Sequence, residues 1–367
     1  MKSNLKAIIY QYKQPATVSG RHISHTKCKG ELGCRFQTFV FWSKRISNLQ
    51  AVAYKYWSIH GYSSIDPSFI GTRVKAMAMA MASLVFGFVF LVVMEHAMAD
   101  FNFYRDMACY WGPRNLAVWN NGTNFALSLN NASGCGIKTR NQFLFGSIQM
   151  HIKLVSGNSA GTVTTYYVSS TGAKHDEIDF EFLGNVSGQP YIVHTNIWVQ
   201  GVGRREKQFY LWFDPTAAFH NYTIHWNPSQ VVWLVDSIPI RVFRNYQKYG
   251  VAYPNQQAMR AYSSIWNGES WATQGGRVKI DWKRAPFVAR YQQVNLRGCP
   301  WYSQGSTAQC SGKTPANWWT AAAYSRLSYA QQGQLMWVRN KYMIYDYCRD
   351  TKRFKGVMPP ECSLPFY

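Results

Sequence analysis

Residues 175–184 read His-Asp-Glu-Ile-Asp-Phe-Glu-Phe-Leu-Gly, and within them Glu177, Asp179 and Glu181 occupy alternate positions. Alternate side chains of a β-strand share a face. The three carboxyl groups therefore line one side of the strand, while Ile178, Phe180 and Phe182 anchor the other side in a core. Carboxylates in a row repel one another, so folding stability alone does not select the pattern. Glycoside cleavage does require it: one carboxyl group attacks the sugar or activates water, and a second protonates the leaving oxygen. Positions four apart on a strand stand ~13 Å apart at Cα, and leaning side chains can approach the ~5–5.5 Å that retaining enzymes use. Two other readings stay open at this point. One is a solvated strand face, although such faces normally mix signs. The other is a calcium site, since hard cations want several carboxylate oxygens.

Such a strand needs a sheet around it. Period-two alternation recurs at Ile148, Met150, Ile152 and Leu154, at Tyr222, Ile224 and Trp226, and at Val278, Ile280 and Trp282. Each predicts a half-buried strand. Turn signals at Ser156-Gly157-Asn158, Asp214-Pro215 and Asn267-Gly268 separate them. Many short strands without intervening helices predict an all-β, antiparallel sandwich over residues 100–295. Composition shifts near residue 296, and Leu335, Val338, Tyr342 and Tyr345 fall at helical spacing, so a C-terminal extension over 296–367 is expected to contain a helix. No internal repeat is present.

Composition narrows the function. With 15 Trp and 24 Tyr, the chain can build a β-rich core, a cleft paved with rings for sugars, or both. The net charge of +22 raises nucleic acid as a partner. Its distribution argues against that: residues 1–99 hold 12 Lys and Arg against 3 Asp and Glu, and residues 100–367 hold 27 against 14, with no dense basic run. Residues 76–94 carry no charge and lead to Ala97-Met98-Ala99, the pattern of a secretory signal over 76–99 cleaved before Asp100. Residues 1–75 show no sustained period, and Met77, Met79 and Met81 are plausible starts, so that stretch is read as an extension outside the working protein. Sequons begin at Asn121, Asn131, Asn185 and Asn221. Secretion permits disulfides. Cys299, Cys310, Cys348 and Cys362 cluster near the C-terminus, where four cysteines allow three pairings, while Cys109 and Cys135 stand apart.

The acidic segment, as His175-Asp176-Glu177-Ile178-Asp179-Phe180-Glu181-Phe182-Leu183-Gly184-Asn185, resembles the signature of plant xyloglucan endotransglucosylase/hydrolases in glycoside hydrolase family sixteen. Asn158 to Val163, Phe209 to Pro215, Trp271-Ala272-Thr273 with Gly275-Gly276, and the tail from Tyr342 through Cys348 to Cys362 resemble the same family. The resemblance implies a concanavalin-like β-jelly roll with an open cleft across its concave sheet. It implies Glu177 as nucleophile, Glu181 as general acid and then base, and Asp179 as the group that orients and tunes the pair. Repulsion from ionised Glu177 would keep Glu181 protonated until the sugar esterifies Glu177. It further implies that Trp266 and Trp271 stack acceptor sugars with Tyr167 near the cleft, that His194, Thr195 and Asn196 hydrogen-bond the glucan, and that Arg204, Arg205, Glu206, Ala272, Gly276 and Arg353 add contacts. A glycan on Asn185 and the pairings Cys299–Cys310 and Cys348–Cys362 belong to the same expectation. Lys174 and Gln274 depart from the common pattern and bear on substrate preference, not on the acid triplet. No long insertion separates Asn185 from Phe209, which leans toward transfer of the cut chain to a second glucan over hydrolysis. The expected protein is a monomer secreted to the cell wall and apoplast, with xyloglucan as donor and acceptor. Neither cofactor nor metal is expected, nor any lasting membrane association after signal cleavage.

Overall fold

The computed structural model describes residues 101–302 and 305–366. The expected extension 1–75 and signal 76–99 lie outside the described residues. Helix α1 (Phe103–Asp106) precedes β1 (Met107–Trp111), β2 (Leu116–Trp119), β3 (Asn124–Leu129), β4 (Cys135–Thr139), β5 (Gln142–Lys153), β6 (Thr162–Ser169), β7 (Glu177–Leu183) and β8 (Ile192–Trp198). Next come β9 (Lys207–Phe209), β10 (His220–Trp226), β11 (Gln230–Val235), β12 (Ile238–Arg244), β13 (Arg260–Asn267) and β14 (Phe287–Trp301). Helices α2 (Thr307–Ser311), α3 (Ala322–Ser325) and α4 (Tyr329–Lys341) then lead to β15 (Met343–Asp346).

Two antiparallel sheets form a jelly-roll sandwich, one ordered β1-β4-β13-β6-β7-β8-β9-β15 and the other β12-β11-β10-β5-β14-β3-β2. The acidic strand β7 sits inside the first sheet, hydrogen-bonded to β6 and β8 along its length. Its apolar side faces the second sheet, as alternation predicts: Ile178, Phe180 and Phe182 are fully buried. Tyr222 of β10 meets the edges of Phe180 and Phe182 at ring distances of 5.8 and 4.6 Å. Each buried phenylalanine contributes about 2 kcal/mol by area. Trp233 of β11 adds a cross-sheet tie, donating its Nε1–H to the Asp179 carbonyl at 2.9 Å. The strand is thus clamped from behind, which fixes where its carboxyl groups point.

The alternations at 148–154 and 222–226 lie on β5 and β10, with Leu154 just past the strand end. The third expectation fails: 278–281 is irregular, and Trp282–Arg284 is a 3-10 turn capped by the Asp281 side chain, which accepts from the Lys283 N–H. Side chains meet the local needs that a neighbouring strand would otherwise meet. Glu269 Oε2 accepts the Ile280 N–H at 3.4 Å, Ile280 is buried against Gly161, and Trp282 packs edge-on to Phe287. Alternation there records burial without a ladder.

The compositional shift near 296 is crossed by β14, whose Leu296 pairs with Ile148. The helix expected in the tail is α4, begun by a Ser328–Gln331 capping box and burying Leu335 and Val338. Tyr342 caps its end, and Tyr345 belongs to β15 instead. Cys299 is bonded to Cys310 and Cys348 to Cys362, with Cα separations of 5.6 and 5.2 Å. Cys109 and Cys135 are free thiols. Among the described residues no helix is long and apolar enough to cross a membrane.

Candidate active site

The exposed side of the first sheet carries one continuous row around the acids. Glu177 stands opposite Ser169 and Trp198, Asp179 opposite Tyr167 and Asn196, and Glu181 opposite Thr165 and His194. The next strands extend it with Tyr262, Ser264 and Trp266 on β13 and Gln208 on β9. Tyr167 stacks on Tyr262 at 5.0 Å, and Tyr110 meets Tyr262 edge-on at 5.8 Å. Beyond Glu181, Trp271 lies 6.1 Å from Trp266 and 6.0 Å from His194, ring centre to ring centre. Aromatic faces with convergent polar groups suit the alternating C–H and O–H surfaces of a sugar.

Burial shapes the charge of this row before any neighbour does. Asp179, with 6% of its surface exposed, is pushed far above the usual carboxyl range by burial first, then by the charges of Glu177 and Glu181. The interaction between the two side chains favours the proton on Asp179 and the charge on Glu177. Glu177 is also raised by burial, but Ser169, His175 and Asp179 favour its ionised form and oppose the rise. Glu181 is pushed up to about 7, by burial first and then by Glu177 and Glu206. The repulsion inferred from sequence is present, but desolvation is the larger cause.

His194 is driven down to about 4, mainly by burial, and is neutral at pH 7. Gln208 Nε2 lies 3.0 Å from its Nδ1, and Glu181 Oε2 lies 3.6 Å from its Nε2. With the Gln208 amide donating to Nδ1, the ring proton sits on Nε2 and faces Glu181.

Of the other residues singled out in the sequence, Tyr167, His194, Asn196, Trp266 and Trp271 lie on this face. Asn196 spends its Oδ1 on the N–H groups of Ile197 and Arg205. Glu206 and Arg353 form a two-pronged pair at 2.6 and 2.9 Å, with Arg353 also donating to the Tyr345 hydroxyl at 3.1 Å. Burial alone would raise Glu206, but the Arg353 hydrogen bond and charge outweigh it and hold the carboxyl below its usual range. Arg204 lies beside them, over the Phe354 ring at 5.4 Å. Asn185 is half-buried just past β7, its Nδ2 donating to the Pro190 carbonyl.

Four expected contacts point elsewhere. Thr195 has the opposite strand parity from His194 and Asn196, so its side chain is fully buried, bonded to Arg241 and the Lys207 carbonyl. Arg205 is ion-paired with Glu361 at 2.6 Å and reaches over the Phe243 ring. The Ala272 methyl packs with Val163 and Leu183. Gly276 is a turn residue at φ +84°, where a Cβ would collide with the Ser270 carbonyl. Conversely, Trp198, Gln208 and Tyr262 line the row without having been singled out. Trp198 shares the parity of His194 and Asn196, which was the available signal.

Arg241 gave no signal at all. It reaches from β12 into the space between the sheets, donates to the Thr195 and Arg205 carbonyls, and lies 4.6 Å over the Trp233 ring. Among the described residues no three His, Cys, Asp or Glu side chains converge to hold a metal.

Residues 103–284 match Glycosyl hydrolases family 16, and residues 313–362 match the Xyloglucan endo-transglycosylase (XET) C-terminus. The chain is 48% identical over 291 residues to xyloglucan endotransglucosylase protein 1 of Diospyros kaki, covering 78% of this chain and 98% of that protein. It is 51% identical over 262 residues to the probable xyloglucan endotransglucosylase/hydrolase protein 23 of Arabidopsis thaliana, covering 71% and 91%. A solved β-glucanase of Bacillus licheniformis shares 22% identity at a TM-score of 0.44, covering 55% of this chain and 94% of that one.

Proposed function

This chain belongs to the xyloglucan endotransglucosylase/hydrolases of glycosyl hydrolase family 16, and from that premise we propose that Glu177, Asp179 and Glu181 carry a retaining transfer between xyloglucan chains. Ionised Glu177 attacks the anomeric carbon of the donor while Glu181 gives its proton to the departing glucosyl oxygen. The C1–O bond breaks, and a glycosyl ester remains on Glu177. Glu181 is left as a carboxylate by that proton transfer, and esterification removes the Glu177 charge that helped hold it up at about 7, so Glu181 stays ionised. It then takes the proton of the incoming hydroxyl as that oxygen attacks C1 and releases Glu177. Two inversions leave the β-configuration intact. Protonated Asp179, hydrogen-bonded to Glu177, steadies the nucleophile before attack and the carboxylate as it leaves.

One observation carries this reading: the three carboxyl groups share one face of β7 inside the sheet, with Asp179 buried between Glu177 and Glu181, so burial and neighbouring charge favour protons on Asp179 and Glu181. For transfer over hydrolysis, the support is the wall of Trp266, Trp271 and His194 beyond Glu181, which could hold an acceptor sugar long enough to compete with ~55 M water. Arg353, Glu206 and Arg204 extend the glucan-binding surface toward β15. We infer a monomer secreted to the cell wall through a signal at 76–99, without residues 1–75, and with a glycan at Asn185; N-terminal sequencing of secreted protein beginning upstream of Asp100 would remove the signal reading.

The test incubates secreted protein with polymeric xyloglucan and a labelled xyloglucan oligosaccharide. Label entering polymer with few new reducing ends is the expected result. Reducing ends without label transfer would make the chain a hydrolase, and neither signal would remove the catalytic assignment.

A further inference from the structure

The second sheet has a concavity of its own, far in sequence from the acid row. Outward side chains of β5 and β10, including Gln149, Thr223 and His225, line its floor, and Trp318 and Tyr324 of the C-terminal segment line its wall. Its volume is about 270 Å³, near the lower end of the ~300–1,000 Å³ common for small-molecule sites. The His225 ring lies 5.1 Å from Tyr324 and 5.8 Å from Trp318. Asn221 lines the same concavity, four residues back along β10 and so ~13 Å from His225 along the strand.

Asn221 opens the sequon Asn-Tyr-Thr. Its backbone N–H is taken by Asp236, and its Oδ1 accepts from the Thr223 hydroxyl at 3.2 Å. Its Nδ2 has no hydrogen-bond partner among the described residues, whereas Asn185 Nδ2 donates to Pro190. Side-chain amides and hydroxyls on the floor suit sugar hydroxyls, and the two rings at the far end suit a sugar face.

We propose that Asn221 carries an N-linked glycan whose first sugars lie along β10 in this concavity and reach the Trp318 and Tyr324 rings. The proposal rests on the secretory route inferred above. The Asn221 Nδ2 forms a bond to the anomeric carbon of an oligosaccharide carried on a lipid diphosphate. The C1–O bond breaks, the lipid diphosphate leaves with the electron pair, and Nδ2 gives up a proton. The attached sugars would tie the second sheet to the C-terminal segment without entering the acid-lined groove.

The full chain, secreted from eukaryotic cells, provides the test. Glycopeptide mass spectrometry before and after peptide N-glycosidase treatment of denatured protein reads occupancy at Asn121, Asn131, Asn185 and Asn221. A native digest then compares release rates. The expected result is an occupied Asn221 whose glycan is released about tenfold more slowly in native than in denatured protein, the factor given by ~1.4 kcal/mol of contacts. Tyr324→Ala and, separately, Gln149→Ala should each restore much of the native release. A bare Asn221 beside occupied sequons elsewhere overturns this proposal and leaves secretion standing, while bare sequons throughout overturn both. An occupied Asn221 released at the same rate native and denatured, or unmoved by both variants, overturns the seating of the glycan.

Discussion

Two groups of buried carboxyl groups lie in this sandwich and differ in whether a cation faces them. Toward the C-terminal segment, Asp346 is met by Lys207 at 3.0 Å and Arg339 at 3.8 Å, and Glu361 by Arg205 at 2.6 Å. Burial pushes Asp346 up, but Lys207 leads the interactions that outweigh it and hold the carboxyl below its usual range. Among the described residues no Lys or Arg forms an ion pair with the carboxyl groups of β7. Arg241 lies behind the strand and lowers Asp179 only slightly against burial and two neighbouring acids. Its two terminal nitrogens donate to the Thr195 and Arg205 carbonyls. Where a carboxylate is structural the fold supplies a cation. Where the proposed mechanism needs it to react, the fold places no cation against it and burial raises its proton affinity.

The largest effect should come from the group that no other can replace. Glu177→Ala should lower turnover by roughly 10⁴–10⁶-fold, the scale seen when a covalent nucleophile is removed, while circular dichroism and glucan binding stay near those of the parent. Turnover within tenfold of the parent would place the nucleophile elsewhere and dissolve the contrast between the two groups.

Glu181→Gln should cost about 10²–10⁴-fold, as expected for a general acid. The pH behaviour sharpens the comparison. Glu181 must hold its proton in the first step, so activity should fall as pH rises through about 7. Stability follows the same sign. The Glu181 value in the folded state, about 7, exceeds its ordinary 4.5, so its contribution is complete below about 4.5 and is lost as pH rises through about 7. Glutamine mimics the protonated form. Glu181→Gln should therefore melt with the parent near pH 4 and above it at pH 8, by about 1–3 kcal/mol. A variant less stable than the parent at pH 8 would mean that the acid row is held together by its charges.

Asp346→Ala tests the paired group and should do the reverse. It leaves Lys207 and Arg339 facing an empty site, a loss of about 3–5 kcal/mol for a broken buried pair. Because Asp346 lies below its ordinary value, that contribution is present above about 3.8 and fades as pH falls through the folded value, so parent and variant should converge in acid. Chemical denaturation at pH 7 and pH 3 reads this directly. Turnover per folded molecule should change little.

What could be read from the residues follows from this division. The acid row, its buried backing of Ile178, Phe180 and Phe182, and the strand around it were legible because period two is a local property. The Val278–Trp282 alternation misled for the same reason: Ile280 is buried by Gly161 and bonded by Glu269, contacts that no local period records. Parity also separates Thr195 from His194 and Asn196, and applying it strictly would have sent Thr195 to the core. Arg241 was beyond reach, because its partners Thr195 and Arg205 lie more than thirty residues away and on the other sheet or a loop. Desolvation was hidden as well. The charges of Glu177 and Glu181 can be counted in a sequence, but the burial that dominates their proton affinities belongs to the packed sheet.

Glu206 lies between the two groups and sets the smallest effect. It is paired with Arg353 like a structural acid, yet its charge is one of the causes that raise Glu181. Removing Arg353 leaves that charge less compensated, so Arg353→Ala should move the alkaline limb of the pH–rate profile upward. Glu206→Gln removes the charge and should move the limb downward. In each case the change in rate at pH 7 should stay within about fivefold, since a partly exposed pair contributes ~0.2–1 kcal/mol. Opposite displacements would show that the paired group tunes the unpaired one. Displacements of the same sign would confine Arg353 and Glu206 to holding β15 against the sheet edge, and the two groups of acids would then be electrostatically independent.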